Sequence, residues 1–588
     1  MKESEKESVF DKEHSKETVK KSALKDLQED SLWKRQKKEN EKSLSDSEKA
    51  QEKKQEKPQE EKIEKKVDQV TDKPENSTKE VRAQDTAEKL QKSNKVKVSE
   101  NKKKSVKKKR KKKKENRQHE IWVAGAILVS LLGAMLVYFI FFEVKGKEDV
   151  LSSKYNTRQK NMAQLIKKGD IVTSDGVVIA TTQTEEDGTE KRVYPYTNWF
   201  AHTIGYSVLG GYGLESSQKL NLLTSHVDFW TKLKNEFLGV KTQGDTLVTT
   251  FDCGLQDFCY RRLDGKTGSI TVVEPETGKI LAMVSYPNYN PNNIEEEWDW
   301  LVSKENTTRN MLNHATQEIY PPGSTFKIIT LLEYIRENPN TWQDFHYTCT
   351  GTYINGDYVV NCHDGVAHGE LDIYGILAMS CNGAFDTIAQ TLDSEKWQKL
   401  AEDFGYNQDD RPNVDFPYKS SGFHIDTDDS VWSRMQLAIG QGTTTVTPLL
   451  NLMMYAAIGN DGVMMTPYMV DYYVDTTGNI VEQTEPTPLR RVCSTEESKL
   501  MDEFLTNVIT NGTAAAGGGT LGVRVSGKTG SAQYDSTKNY HAWFCGYGTD
   551  GQEKIAVCVM IEQGGAGGTV AAPIAGEIFD YYFGTKNQ

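Results

Sequence analysis

Ser324 stands in YPPGSTFKIITLLEY, where Pro321, Pro322 and Gly323 hold off a helix and apolar periodicity begins immediately afterwards. A serine so placed sits at the head of a helix, and Lys327, three residues on, shares its face with Cβ atoms about 5–6 Å apart. An amine one turn from a hydroxyl can take its proton and make it a nucleophile. Free lysine titrates at about 10.4, so this amine must be desolvated or set beside other positive charge to be neutral at work. The positive end of the helix acts in that direction. The spacing alone is a weak signal, because Ser-x-x-Lys also begins at Ser22, Ser31, Ser99, Ser105 and Ser216. Of the six, only Ser324 follows helix breakers and opens an apolar-periodic run.

Two further segments carry residue types that complete an acyl-transfer site. Ser380-Cys381-Asn382, in ILAMSCNGAFDTIAQ, falls between two helical runs, where a hydroxyl and a carboxamide can relay a proton to a leaving amine and hold a substrate backbone. The ordinary reading of such a triplet is a helix cap. Lys528-Thr529-Gly530-Ser531 lies on the strand-like VRVSGKTGSAQY. There a lysine and a hydroxyl can hold a carboxylate, a glycine permits close backbone approach, and the Ser531 amide can face an oxyanion. Lys266-Thr267-Gly268-Ser269 repeats the same four letters but precedes the nucleophile, at a turn before the first strand of the domain.

The elements that must position these segments are legible from about residue 240 onward. GSITVVEP and GKILAMVSYP flank Glu276-Thr277 and read as a β-hairpin. Helical periodicity follows in TFKIITLLEYIREN, LDIYGILAM and TPLLNLMMYAAIGN. VRVSGKTGSAQY, HAWFCGYG and KIAVCVMIEQ then read as three consecutive strands, with a last helix in AAPIAGEIFDYYF. Strands from both ends of one long segment with helices between them predict one mixed α/β (α+β) domain over 241–588, built on an antiparallel sheet flanked by helices. Residues 143–240 hold short strand-like pieces such as GDIVTSDGVVIA and a helix near Glu215 to Thr224. They predict a small N-terminal subdomain, too small to be a lipid-substrate glycosyltransferase with its own core.

Residues 1–120 have a different composition, with 38 Lys or Arg against 27 Asp or Glu and neither Gly nor Cys, in a chain whose net charge is −12. So little apolar surface cannot offset the entropy of ordering the backbone, which predicts a disordered tail. The tail ends in KKKSVKKKRKKKKENR, and IWVAGAILVSLLGAMLVYFIFF (121–142) follows without one charged side chain. As a helix that run spans roughly 33 Å, enough for a hydrocarbon core of about 30 Å. The basic cluster then belongs to membrane topology, with the N terminus cytoplasmic and 143–588 extracytoplasmic, and implies no nucleic-acid partner. The span is too long and too far from the start for a cleaved signal peptide. All eight cysteines lie beyond it. No C-x-x-C pair or zinc-like Cys/His spacing is present, so neither a metal nor another cofactor is expected. Cys349 and Cys362 bracket the turn signal Asn355-Gly356, which predicts a disulfide, the other reading being two small buried hydrophobes.

The ordered set STFK, SCN and KTGS resembles that of class B penicillin-binding proteins, and LVTTFDCGLQDF, GSITVVEPETGKILAMVSYPNYNPN and IGQGTTTVTPL are similar to that family's landmarks. The short subdomain before residue 240 resembles the compact penicillin-binding protein A branch. The resemblance implies a peptidoglycan D,D-transpeptidase in which Ser324 attacks the D-Ala-D-Ala carbonyl of a stem peptide and Lys327 is the base. Ser380 and Asn382 would assist proton transfer, Lys528 with Thr529 would engage the substrate carboxylate, and the Ser324 and Ser531 amides would form the oxyanion hole beside Gly530. It further implies acylation by β-lactams and a polytopic membrane glycosyltransferase as partner. A D,D-carboxypeptidase or a non-catalytic β-lactam sensor would keep the same motifs. A β-lactamase needs a deacylating glutamate, and the stretch beyond Ser380 holds Asp409, Asp410 and Asp415 instead.

Overall fold

The computed structural model describes residues 122–123, 125–138, 157–408, 415–534 and 539–586. Among the described residues, every sheet lies within Ile127–Gln588. Its centre is a five-stranded antiparallel sheet of β1 (Gly268–Val273), β2 (Ile280–Tyr286), β3 (Arg524–Gln533), β4 (Tyr540–Thr549) and β5 (Lys554–Ile561), in the order β3-β4-β5-β1-β2. The β1–β2 hairpin and the β3–β4–β5 meander pair as their alternation predicts, through contacts such as Ile270 with Val284 and Val559 with Ile270. Nearly every residue of β4 and β5 is buried, so helices must cover both faces.

Pro448–Gly459 supplies one cover and is buried on all sides, its start fixed by Pro448 and by Thr447, whose hydroxyl accepts from the Leu450 amide. Thr495–Asn511 packs on β3 and begins with a reciprocal capping box between Ser494 and Glu497. Ala571–Lys586 covers β4 and β5. The chain thus belongs to the mixed α/β class predicted for it, and β3, which carries the KTGS motif, is an edge strand.

A second, six-stranded sheet places Ile171–Val172, Val178–Thr184 and Glu190–Val193 beside Thr246–Thr249, and then adds Val470–Val474 and Ile480–Gln483. The expected subdomain limit at 240 is therefore not a limit of the sheet, since half its strands come from beyond it. The physical reason is that the short strands of 143–240 cannot close a core alone and take their remaining neighbours from distant sequence. Glu215, fully buried there, accepts from Arg192 Nε at 2.7 Å and from the Lys168 amine. Burial pushes its carboxyl up, but the two charges and their hydrogen bonds outweigh this and hold it below the ordinary glutamate range. The helix expected over Glu215 to Thr224 is broken into Leu214–Ser217 and Lys219–Leu222.

The charged tail 1–120 lies outside the described residues, as do parts of the apolar run 121–142. Of that run, 122–123 and 125–138 are helical, and among the described residues no helix is long and apolar enough to cross a membrane. Removing one member of the buried ion cluster leaves uncompensated charge. Glu215→Ala is expected to cost about 3–5 kcal/mol of stability, read as a fall in the denaturant midpoint.

Candidate active site

Ser324 lies in the single 3-10 turn Gly323–Phe326, which runs straight into α1 (Lys327–Glu337). The turn is held from several sides. The Thr325 hydroxyl donates to Pro322 O at 2.9 Å, Asn451 donates to the Thr325 hydroxyl at 3.0 Å, and the Tyr455 hydroxyl donates to Thr325 O at 2.8 Å. It rests directly on β3. A Cβ on Gly530 would lie 2.9 Å from Pro322 O, and one on Gly323, whose φ is +56°, would lie 3.0 Å from the Ala532 Cα. Both glycines are required by this close approach, which sets the nucleophile beside the KTGS edge.

Lys327 is fully buried and makes the central contacts. Its Nζ donates to Ser380 O at 2.8 Å and to Asn382 Oδ1 at 2.7 Å, lies 3.4 Å from Ser380 Oγ, and sits 5.0 Å from the centre of the Phe385 ring. Burial pulls this amine down to about 8, against the opposing pull of Cys381, Cys362 and Asp386. Lys528 is also fully buried and donates to Thr529 O at 3.0 Å. Burial, and then the charge of Lys327, pull it well below the usual lysine value.

Ser380 and Asn382 connect α2 (Ile373–Ala378) to α3 (Asn382–Ala389). They are not the caps that the sequence first suggests: Cys381 is the N-cap of α3 and makes no side-chain capping bond. Ser380 adopts φ +53°, an uncommon conformation for a residue with a Cβ, and this turns its carbonyl and hydroxyl towards Lys327. The amide of Asn382 donates to Asn361 O at 2.8 Å, so its other end is tied to the Thr352–Asn361 hairpin.

The structure therefore brings Ser324, Lys327, Ser380, Asn382, Lys528, Thr529, Gly530 and Ser531 into one region, and it leaves the decoys outside. Lys266-Thr267-Gly268-Ser269 leads into β1, three strands from β3. Ser216 belongs to the short helix of the Glu215 ion cluster. Asp409 and Asp410 lie outside the described residues, and Asp415 pairs with Gln218.

Sequence reasoning missed two residues. Thr513 donates its amide to Ala378 O at 3.1 Å while its hydroxyl meets the Thr529 hydroxyl at 2.9 Å, joining the second motif to the third. Asp386, one turn along α3 from Asn382, is fully buried with neither carboxylate oxygen hydrogen-bonded, and burial pushes it well above the ordinary carboxylate range. An acidic residue four positions after Asn382 on a buried helix face was the available signal for Asp386. Nothing local marks Thr513.

The cysteine expectations need correction. The Asn355-Gly356 hairpin forms, with Asn355 opposite Tyr358, but the Cys349 and Cys362 thiols are free, their sulfurs 3.6 Å apart and outside bonding distance. They converge with His368 and Cys381 into one group of potential metal donors, all within 4.8 Å of one another. Linear spacing hid this because the donors come from four separate segments of the chain.

Residues 268–580 match the penicillin binding protein transpeptidase domain, and 168–247 match the penicillin binding protein A dimerisation domain. The chain is 28% identical over 477 residues to a peptidoglycan D,D-transpeptidase PbpA of Mycolicibacterium smegmatis, covering 77% of this chain and 96% of that one. It is 26% identical over 417 residues to PbpA of Mycobacterium tuberculosis, covering 66% and 83%. Its fold is similar to the D,D-transpeptidase domain of a peptidoglycan glycosyltransferase from Eggerthella lenta, with a TM-score of 0.64 at 27% identity over 72% of this chain and 99% of that one. It is equally similar to an imipenem acyl-enzyme complex of penicillin-binding protein A from M. tuberculosis, with a TM-score of 0.64 at 25% identity over 71% and 99%.

A base must be unprotonated to accept the Ser324 proton, and Lys327 is protonated below about pH 8. The acylation rate with a fluorescent penicillin is expected to rise with pH up to about 8 and level off above it. Lys327→Met should slow acylation by about 10²–10⁴-fold and remove that pH dependence. Quenched time courses on gels measure both.

Proposed function

This chain belongs to the penicillin-binding protein transpeptidase family, and from that premise we propose that Ser324, Lys327, Ser380, Asn382 and Lys528 carry its catalysis as a peptidoglycan D,D-transpeptidase. The observation that carries the reading is the buried Lys327 amine, hydrogen-bonded to both members of the second motif at the foot of the Ser324 turn. In the neutral form it accepts the proton of Ser324 as Oγ attacks the carbonyl between the two terminal D-alanines of a stem peptide. The amides of Ser324 and Ser531 face the oxyanion. Ser380, whose hydroxyl faces Lys327, passes the proton to the nitrogen of the departing D-alanine, so the C–N bond breaks as the acyl-enzyme forms.

Thr529 and Lys528, with Gly530 allowing close approach, hold the substrate carboxylate at the open edge of β3. The amine of a neighbouring stem peptide then attacks the ester, its proton leaves through the same groups, and Ser324 is regenerated. A β-lactam opens on Ser324 by the same first half-reaction. Fully desolvated amines support this chemistry, since only a neutral lysine can begin it.

The uncharged run 121–142 after a basic cluster supports a single-pass anchor with a cytoplasmic N terminus and an extracytoplasmic catalytic domain. An N-terminal subdomain too small to polymerise glycan supports a polytopic membrane glycosyltransferase as partner. Recovery of the two together from mild detergent is the expected result.

The test uses the full chain in mild detergent with fluorescent penicillin. Wild type and Ser216→Ala should label equally, and Ser324→Ala should lose the label. With stem-peptide donor and acceptor amine, mass spectrometry should find the joined product with release of one D-alanine. Trimmed donor without joined product would instead make the enzyme a carboxypeptidase, and labelling with no turnover of peptide would make it a sensor.

A further inference from the structure

The Phe229–Phe237 helix is built inside out. Asp228 caps its start, the carboxylate accepting from the Trp230 and Thr231 amides at 3.0 and 3.2 Å. Thr231 and Asn235 are its only half-buried residues, and the Asn235 amide donates to the Thr242 hydroxyl at 3.4 Å, so the helix rests on the Thr242–Gln243 strand by a polar stripe. At about 3.6 residues per turn, Phe229, Trp230, Leu233 and Phe237 share one arc on the opposite side. Phe237 is 91% exposed and Trp230 73%, and Phe229 and Leu233 are exposed with them. A helix on a water-facing surface turns its apolar stripe to the core and its polar stripe outward. Here the two are reversed, and no residue of the helix is buried.

The place of this helix in the chain's path indicates what covers it. Ile166–Lys167 pairs in parallel with Thr242–Gln243, and the Lys241 amine donates to Ala163 O at 2.7 Å. The segment arriving from the uncharged run 121–142 and the segment leaving the helix therefore enter the domain side by side, and Leu165, Leu238 and Val240 at that entry are exposed as well. Residues 143–156, EVKGKEDVLSSKYN, link the run to the Thr157–Leu165 helix. Fully extended they reach at most about 50 Å, and they are too polar to cover an apolar arc themselves. A second copy of the chain fits poorly too. Four such side chains offer on the order of 500 Å², short of the roughly 800 Å² that each partner buries in a stable dimer. The surface that fits is the bilayer this entry faces.

We propose that the Phe229–Phe237 helix lies in the boundary between headgroups and acyl chains of the membrane, as a second membrane contact of the anchored chain. Its composition suits that place. Aromatic and leucine side chains fill the apolar arc, and Lys232 and Lys234 stand at its two borders, where their stems lie along apolar surface and their amines reach the headgroups. Glu236 stands between Lys232 and Phe229 around the helix, and Lys232, one turn before it, offsets its charge. Such a helix sinks about 5–10 Å, enough to bury the arc and leave Thr231 and Asn235 on the protein. One span alone lets the catalytic domain swing on the 143–156 link, whereas a second contact beside the entry fixes its tilt and its height above the membrane. The inference rests on the single-pass anchor proposed above and is independent of the catalytic assignment.

The experiment places the photo-crosslinker p-benzoyl-L-phenylalanine at Phe237, at Leu131 in the apolar run, or at Leu521, an exposed apolar residue elsewhere on the domain. Each full chain is reconstituted into vesicles of equal parts phosphatidylethanolamine and phosphatidylglycerol, irradiated and read by mass spectrometry. A phospholipid adduct is expected at Phe237 and at Leu131, and none at Leu521. Adding Phe229→Ser and Leu233→Ser should lower the Phe237 adduct by at least about tenfold, since burying one large apolar side chain is worth that much. Both positions are exposed, so these variants should still bind fluorescent penicillin as wild type does, which reports an intact fold. A Leu131 adduct without one at Phe237 overturns the inference and leaves the anchor standing, whereas no lipid adduct at Leu131 strikes the anchor reading itself. Cross-linking from Phe237 to a second copy, to residues 143–156 of its own chain or, in the membranes of the expressing cells, to another protein in place of lipid would also overturn it.

Discussion

A lysine amine with no access to water is the constraint from which the rest of the catalytic domain follows. Burying Lys327 costs free energy in its charged form, and the protein accommodates it with two oxygen acceptors, Ser380 O and Asn382 Oδ1, and the face of Phe385. Those acceptors exist only because a strained turn at Ser380 and the start of α3 are held in one place. Lys528, equally buried, is pulled towards its neutral form by burial and by the charge of Lys327, and Asp386 adds an acid whose burial favours its neutral form. The result is a pocket of titratable groups in which desolvation favours neutral forms, the condition that proton transfer from a hydroxyl requires.

The second requirement is close approach of backbone to backbone. The Ser324 turn and β3 meet where side chains would collide, at Gly323 and Gly530, so nucleophile and KTGS strand are set by main-chain contact and not by flexible side chains. Since β3 is an edge strand, the same juxtaposition leaves a row of backbone groups open beside the nucleophile. Thr513 binds this strand to the end of α2, so the three motifs form one mechanical unit.

Much of this was legible in linear sequence because it depends on local chain properties. Breakers before an apolar-periodic run marked Ser324 and set it apart from five other Ser-x-x-Lys strings. Alternating and continuous apolar runs marked β1 to β5, and Thr447-Pro448 marked the start of a covering helix. The composition break at residue 120 needed no fold to be seen. What failed to show were relations between distant residues: Val470–Val474 and Ile480–Gln483 completing the N-terminal sheet, Asp386 lying near Lys327, and Cys349, Cys362, His368 and Cys381 meeting.

By itself the sequence determined which hydroxyl, which amines and which carboxamide are available, and which helix and strands carry them, since periodicity, breakers and caps act over a few residues. Tertiary structure alone decided that Lys327 is dry enough for its amine to be pulled down to about 8, that Ser380 turns left-handed to meet it, and that Cys349, Cys362, His368 and Cys381 lie within 4.8 Å of one another. Desolvation and convergence are properties of packing between segments far apart in the chain, and no local pattern encodes them.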